Sequence, residues 1–590
     1  MNILSLAGLL IAYFLPGYLL SFLLFKNQEI SRAERALFSF TASISILGAL
    51  MHILGLTFGF NFWLILLLPL FICALLYFFA RKELETSFSI PKFELPALSL
   101  LEKLALAVIL LQLIFALYYS VFFPIEGGDA VAYHAPYAKL FYQAGRIYNP
   151  EGFLDITNAV PHATHLIGTW FYILDGGVND LFLRLLSPLC TLFFTLLVFL
   201  FAQKLFNRQT AIISTAIFAS IPLVVAHASS AYINLPEAFF ASSALYFLHL
   251  ALKSKETRHY LAAGLLTGFV PLLKHSGFIA LFIAGALLLL FRPKLKHILL
   301  FSLAFFLFLS PIWYMRDIVE FGSPFYPHSL FGEAKPYGTP PHEFFLSYFF
   351  DGMIAINWGI GPFLLTFGLA GLYYLNRSRY DEKFLALWLL GAIIFTSLFT
   401  QSGRFMLWAA LPIAVLAGKG ACELISRNNG LWRTAVFTLL LLQILPMLFL
   451  GVVSFKTSRI AYGEGTLALS FYFPPPQHEE FLEGLYGDDA WSAYKFINSQ
   501  TPSNSKIISV ESPIYFIDRP LYVPEHMQLP DKLEPALLEL KEKGITHILV
   551  THVDKPPNYL PLQSAFQNLN NTKYFELVYS TETAQVYRIR

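Results

Sequence analysis

Again and again along this chain apolar residues run on for about 20 positions, the length a helix needs to cross a hydrocarbon core of about 30 Å. Ile3 to Phe25, Asn61 to Ala80 and Thr434 to Phe455 are examples. Inside a bilayer every backbone N–H and C=O must be satisfied within its own segment, so such runs can only be helical. Composition agrees: 56% of the 590 residues are hydrophobic and 13% charged, where soluble chains carry about 25% charged residues. The expected fold class is therefore an α-helical polytopic membrane protein. Read in order, the runs predict about fourteen transmembrane helices, at 3–25, 36–55, 61–80, 104–123, 181–203, 209–228, 237–252, 259–273, 276–291, 297–315, 359–376, 384–400, 405–425 and 434–455.

Topology follows from the loops. With the N-terminus outside, the inner loops collect Lys26, Arg32, Arg35, Arg81, Lys82, Lys204, Arg208, Lys253, Arg258, Arg292, Arg377, Arg427 and Arg433, among others. The outer side, before the C-terminal region, holds only Lys139, Arg146, Arg184, Lys274, Arg316, Lys335 and Arg404. The positive-inside rule selects this orientation, a multi-pass cell (inner or plasma) membrane protein. A net charge of +2, scattered over short loops, argues against a nucleic-acid partner. Cys73, Cys190 and Cys422 lie in apolar runs and read as small buried residues. The first run lacks a basic flank and a small-residue cleavage site, so it reads as a retained helix.

Two long outer segments, 124–180 and 316–358, are rich in Phe, Tyr, Trp, Pro and His. Such side chains favour the headgroup interface, so short helices and turns roofing the bundle are expected. After Phe455 the sequence is of ordinary soluble type. Helices over Asp488 to Asn498 and Asp531 to Lys543 alternate with strands over Lys506 to Glu511, Thr546 to Thr551, Tyr574 to Ser580 and Gln585 to Ile589, a small α/β domain outside the cytoplasm. It has no phosphate loop, nucleophile elbow or zinc pattern, which points to a lid, acceptor-binding or scaffold role.

Chemistry can be sought in three places. Glu126-Gly127-Gly128-Asp129, with Tyr133 and His134 following, opens an amphipathic stretch where membrane meets water. Asp129 there can cap a helix or act as a general base for an acceptor hydroxyl, and the two roles are compatible. His162 and His165 are three residues apart, on one face if helical. With a carboxylate such as Glu126 or Asp129 they are compatible with a divalent metal, though no third ligand stands at readable spacing; hydrogen bonds to sugar or phosphate are the simpler use. Lys274, Arg316 and Arg404 are outer cations. Counter-ions such as Glu237, Asp317 or Glu320 and snorkelling would account for them, as would a clamp on a lipid phosphate. Asn234 and Glu237 flank Pro236 at a helix start, as a cap or as a sugar contact.

In their order these pieces resemble the polyprenyl-phosphate-sugar-dependent glycosyltransferases of the C superfamily, which include the protein O-mannosyltransferases and lipid A aminoarabinose transferases. The likeness runs over about 104–590. It rests on Gly128-Asp129 with Tyr133 and Tyr137-Ala138, on Arg184-Leu185, on Lys274, on Pro311 to Asp317 closed by Gly322 to Pro327, on Gly403-Arg404-Phe405 and on the soluble tail. It implies transfer of a sugar from a polyprenyl-phosphate carrier to a hydroxyl of a protein, lipid or polysaccharide acceptor on the outer face. Inversion at the sugar carbon, Asp129 as base, and Glu126, Tyr133, His134, His162, His165, Lys274, Arg316 and Arg404 as substrate contacts complete the expectation. No cofactor is called for, and a divalent metal stays open. Relatives often carry two adjacent acids where Ala130 follows Asp129 here, which weakens a metal assignment. The implied parts are a three-helix addition with its cytoplasmic loop (1–103), a transferase core (104–455) and the outer domain (456–590). A flippase would instead show paired halves and acids deep in helices, and no repeat is visible. A noncatalytic envelope-assembly protein would tolerate loss of Asp129.

Overall fold

The structure, a computed structural model, describes residues 3–25, 29–85, 98–125, 129–150, 158–309, 311–324, 326, 362–376, 378–399, 403–428, 430–457, 477–509, 514–522, 532–551, 569 and 573–590. Glu126, Lys335, Arg377, most of the outer segment 316–358 and the Pro474 to Pro476 bridge lie outside them. Two compact units result: residues 1–121 with 161–469, and residues 122–160 with 470–590.

The first unit is a helix bundle, and each of the fourteen apolar runs contains helix. Among the described residues, seven helices are long and apolar enough to span: Ile3–Leu24, Arg32–Thr57, Phe62–Leu84, Leu100–Phe122, Leu181–Leu205, Asn234–Ser254 and Leu407–Arg427. Two bent pairs, Arg208–Ala219 with Pro222–Ala228 and Leu295–Phe308 with Pro311–Phe321, raise the count to nine. The first pair bends by 67°, because Pro222 has no N–H to continue the ladder and its ring suits a new helix start. His275–Phe291, Leu364–Tyr373 and Leu431–Leu445 are shorter apolar helices. Thr257–Leu273 and Tyr380–Phe399 account for the remaining two runs.

Helix Asn234–Ser254 is the hub. From Asn234 to Leu252 it is wholly buried although it carries Asn234, Glu237, Ser242, Ser243 and His249, a polar load that only a protein-lined position makes tolerable. It packs against Leu181–Leu205, Thr257–Leu273 and Leu407–Arg427. By contrast Phe62–Leu84 is 17% buried and turns Trp63, Phe71, Phe78 and Phe79 outward, a face suited to lipid. Helices Thr257–Leu273 and Leu295–Phe308 touch backbone to backbone. A Cβ on Gly264 or Gly268 would stand 2.3 Å from the carbonyl oxygen of Phe301 or Phe305, the small-residue packing of membrane helices.

The second unit joins the first outer segment to the C-terminal domain. Five strands, β1 (Lys506–Ser509), β2 (Leu521–Tyr522), β3 (Ile545–Thr551), β4 (Phe575–Ser580) and β5 (Ala584–Ile589), form one sheet in the order β2-β1-β3-β5-β4. The first three are mutually parallel and the last two antiparallel to their neighbours. Central β3 is buried along nearly its whole length, as a strand covered on both faces should be. Helix Leu533–Glu542 lays Ala536, Leu537 and Leu540 on the core of Ile508, Ile548 and Val550. Helix Asp488–Gln500 buries Ala490, Ala493, Tyr494 and Ile497, a stripe of helical period. The expected elements of this domain are all present; helix His478–Tyr486 and the two-residue β2 add to them.

Candidate active site

In the second unit, the segment after Phe122 turns into a π-helical turn, Ala130–His134, and then helix Ala135–Ala144. Single π-turns widen the ladder by one residue and recur at functional sites. Asp129 occupies the residue before that turn and makes no capping hydrogen bond with its side chain, so the helix-cap role does not describe it. Asp129, Tyr133 and His134 are half-buried. The segment is fastened to the C-terminal domain by Lys139, whose Nζ donates to Asp518 Oδ1 at 2.7 Å and to the Tyr515 carbonyl at 3.0 Å. Phe123 meets Phe481 edge-on, ring centres 5.1 Å apart. Tyr137 donates to Asn158 Oδ1 at 2.8 Å and so braces the far side of the same helix.

The first unit gathers Lys274 and Arg404 around a buried acid. Helix Thr257–Leu273 stops at Lys274, which is extended (φ −166°, ψ 152°), and a short 3-10 turn, His275–Gly277, leads into the next helix. Sequence explains the break. Pro271 cannot donate to the ladder, and Gly277 lets the chain fold back: a Cβ there would stand 2.3 Å from the Val270 carbonyl oxygen. The Tyr314 hydroxyl donates to the Pro271 carbonyl at 2.9 Å, satisfying an acceptor that the helix end left over. Lys274 Nζ donates to Asn234 Oδ1 at 3.3 Å. One turn on, fully buried Glu237 accepts from the Ser276 hydroxyl with Oε1, while its Oε2 has no hydrogen-bond partner. Lys274 and Arg404, the latter on the 3-10 turn Gly403–Met406, are the cations acting on this carboxylate.

Close by in sequence, helix Pro311–Phe321 carries Arg316 over the Trp313 ring, 4.4 Å from its centre. Arg316 bridges to Asp317 at 3.3 Å and to Glu320 at 2.9 Å, so the acids named as its counter-ions do pair with it. Trp313, fully buried, takes His52 and His162 edge-on at 5.4 and 5.2 Å. His162 precedes helix Ala163–Asp175, and His165 lies in its first turn. Their Nδ1 atoms stand 2.8 Å apart, a hydrogen bond between rings. His52 Nε2 accepts from the His162 backbone N–H at 3.2 Å, and His52 Nδ1 faces the Gly48 carbonyl at 2.9 Å. These two partners fix a neutral ring protonated at Nδ1.

Of the expected site residues, then, His162, His165, Lys274, Arg316 and Arg404 belong to the bundle, Asp129, Tyr133 and His134 to the other unit, and Glu126 is not described. Among the described residues no three His, Cys, Asp or Glu form a group able to hold a metal ion. Sequence reasoning missed His52, on a helix read as part of an N-terminal addition. A lone histidine in an apolar run was the signal, since an ionisable group at membrane depth is costly unless it has a partner.

The family model for dolichyl-phosphate-mannose-protein mannosyltransferase matches residues 159–315. That segment includes His162, His165, Arg184, Asn234, Glu237 and Lys274 and ends one residue short of Arg316. No curated protein matches the chain by sequence. Among solved structures, ArnT from Cupriavidus metallidurans bound to undecaprenyl phosphate is similar over 82% of this chain and 97% of its own, at 15% identity and TM-score 0.55. The Archaeoglobus fulgidus oligosaccharyltransferase in complex with Zn and sulfate is similar over 81% of this chain and 72% of its own, at 15% identity and TM-score 0.51. Fold and matched segment point the same way: residues 159–315 are similar to the mannosyltransferase family, and the chain shares its fold with ArnT and the oligosaccharyltransferase.

Proposed function

We propose that this protein moves a sugar from a polyprenyl-phosphate carrier to a hydroxyl acceptor at the outer face of the inner or plasma membrane, with inversion at the sugar carbon and with its C-terminal domain outside the cytoplasm. The observation that carries the reading is the break at Lys274. It sets an ammonium and the Arg404 guanidinium beside one buried carboxylate, inside a fold shared with a protein crystallised with undecaprenyl phosphate. Leaving-group chemistry here needs charge stabilisation on the phosphate and in-line geometry. Lys274 acts as a point charge, Arg316 and Arg404 as forked donors, and His162 and His165 bind the phosphate or sugar. Asp129 takes the acceptor's proton; Glu126, Tyr133 and His134 contact substrate. Protein, lipid and polysaccharide hydroxyls are all acceptors to try.

Transfer of radiolabelled sugar from a panel of polyprenyl-phosphate sugars, by purified protein in liposomes, tests this. Asp129→Asn is expected to lower transfer by about a thousandfold, as loss of a general base does, with donor binding kept. Equal transfer by both proteins would remove Asp129 from the chemistry. Chelation decides the divalent ion: loss of transfer restored by Mn2+ or Mg2+ assigns a metal step, and unchanged transfer leaves the charge to Lys274, Arg316 and Arg404.

A further inference from the structure

In the C-terminal domain the stretch 514–518 is anchored more firmly than a surface connection needs to be. The Asn498 side-chain amide holds it twice: Nδ2 donates to the Phe516 carbonyl and Oδ1 accepts from the Asp518 N–H, each at 2.7 Å. Arg519 donates to the carbonyls of Pro502, Asn498 and Thr501 at 2.9, 3.0 and 2.9 Å, acceptors left over at and just past the end of helix Asp488–Gln500. Phe516 meets Trp491 edge-on, ring centres 5.4 Å apart. Against this support lies the first outer segment. The 3-10 turn Ile514–Phe516 packs on the π-helical turn Ala130–His134 and on helix Ala135–Ala144. From that helix Lys139 donates to both Asp518 and the Tyr515 carbonyl with its side chain 11% exposed, and lysines are almost never buried without such partners. Asp518 is 57% exposed, so the ion pair adds little stability. What two acceptors converging on one ammonium do fix is its position.

We propose that Lys139 is a positioning residue for Asp129: through the 514–518 stretch and this ammonium, the C-terminal domain sets where the base stands. The inference rests on the reading of Asp129 as the group that takes the acceptor's proton. The path between the two residues is short. Helix Ala135–Ala144 continues the π-helical turn without a break, and Asp129 is the residue before that turn, so the helix that Lys139 holds carries the carboxylate at its start. Misplacing a reacting group by about 1 Å costs about a hundredfold in rate. Donor contacts, which the same reading gives to Lys274, Arg316 and Arg404, belong to the bundle. Loss of the Lys139 contact therefore changes the rate at saturating donor and leaves donor affinity as it was.

Lys139→Met keeps the aliphatic stem and removes the ammonium. In full-length protein in nanodiscs it is expected to lower transfer at saturating donor by about thirtyfold while undecaprenyl phosphate binding stays within about twofold of wild type. Amide hydrogen exchange over 130–144 should rise, with exchange in strands β3 and β5 unchanged. Lys139→Arg keeps the charge and the donors and is expected to transfer within about fivefold of wild type. In an Asp129→Asn background Lys139→Met is expected to cost less than about twofold more, because a base that is absent cannot be misplaced. The same fold loss in both backgrounds would mark a lysine that only supports folding and would overturn the proposal. So would wild-type transfer by Lys139→Met, or exchange over 130–144 that does not rise, whatever the activity. If Asp129→Asn by itself transfers like wild type, the reading of the base falls and the positioning role goes with it; an impaired Asp129→Asn beside an unimpaired Lys139→Met overturns the positioning role alone.

Discussion

The two ends of the helix bundle treat their buried carboxylates differently. Helix Arg32–Thr57 carries Glu34 in its first turn and His52 near its last, about 27 Å apart at 1.5 Å per residue. At the Glu34 end the acids are closed. Glu34 takes Lys204 at 2.7 Å and the Tyr246 hydroxyl on one oxygen and the Ser31 N–H on the other. Glu102 takes Arg208 on one oxygen and Ser99 on the other. Asp381 is shared by His249 and Lys253. At the His52 end two acids keep one oxygen open: Glu237 Oε2 and Asp317 Oδ2 are buried and without a hydrogen-bond partner. Unsatisfied buried acceptors cost free energy that packing would have removed were structure the sole constraint. Closed carboxylates hold the bundle together; the open ones lie at the end where the proposed site is.

If that difference is real, substitutions at the two ends should fail in different assays. The largest expected effect is at the open end. Lys274→Ala removes the ammonium that the helix break positions, and transfer is expected to fall by at least about a hundredfold, in line with loss of one preorganised charge contact. Its thermal unfolding in detergent should fall less than that of a closed-end variant, because the residue lies at a helix break and no helix loses its core. A large drop in stability with transfer per folded molecule unchanged would break the comparison.

At the closed end the order reverses. Glu34→Ala strips the partner from Lys204 and Tyr246 and opens the capping box with Ser31. Breaking a buried pair costs about 3–5 kcal/mol, discounted here because the Lys204 side chain is 30% exposed and can reach water. A loss of about 2 kcal/mol, seen as a lowered unfolding temperature, is expected, with transfer by the protein still folded retained.

How far these ends could be read beforehand depends on the range of the interactions. Helices were legible because each apolar run satisfies its own backbone, and the C-terminal strands because alternation is local. The break at Lys274 was half visible in Pro271 and Gly277, two residues whose backbone chemistry acts within one turn. By contrast, Lys139 finds Asp518 across 379 positions, and nothing local in either residue announces the other. The grouping of Asp129's segment with the C-terminal domain was hidden for the same reason. Strand β2, two residues long, is too short to show a period. His52 needed the recognition that one polar ring in an apolar helix must have a partner elsewhere.

The smallest effect sharpens the comparison by testing whether any ion pair at the closed end would do. Lys253 reaches Asp381 at 2.9 Å, but the Lys253 side chain is 48% exposed, and its partner keeps the fully buried His249 ring at 2.8 Å after the lysine is gone. Exposed pairs contribute about 0–1 kcal/mol, so Lys253→Ala is expected to shift the unfolding temperature by no more than about a degree and to leave transfer unchanged. Asp381→Asn, which weakens the acceptor of the buried imidazole, should cost more than Lys253→Ala in the same assay. Equal losses would mean that burial of the partner does not set the value of a closed carboxylate, and the contrast between the two ends would then need another physical cause.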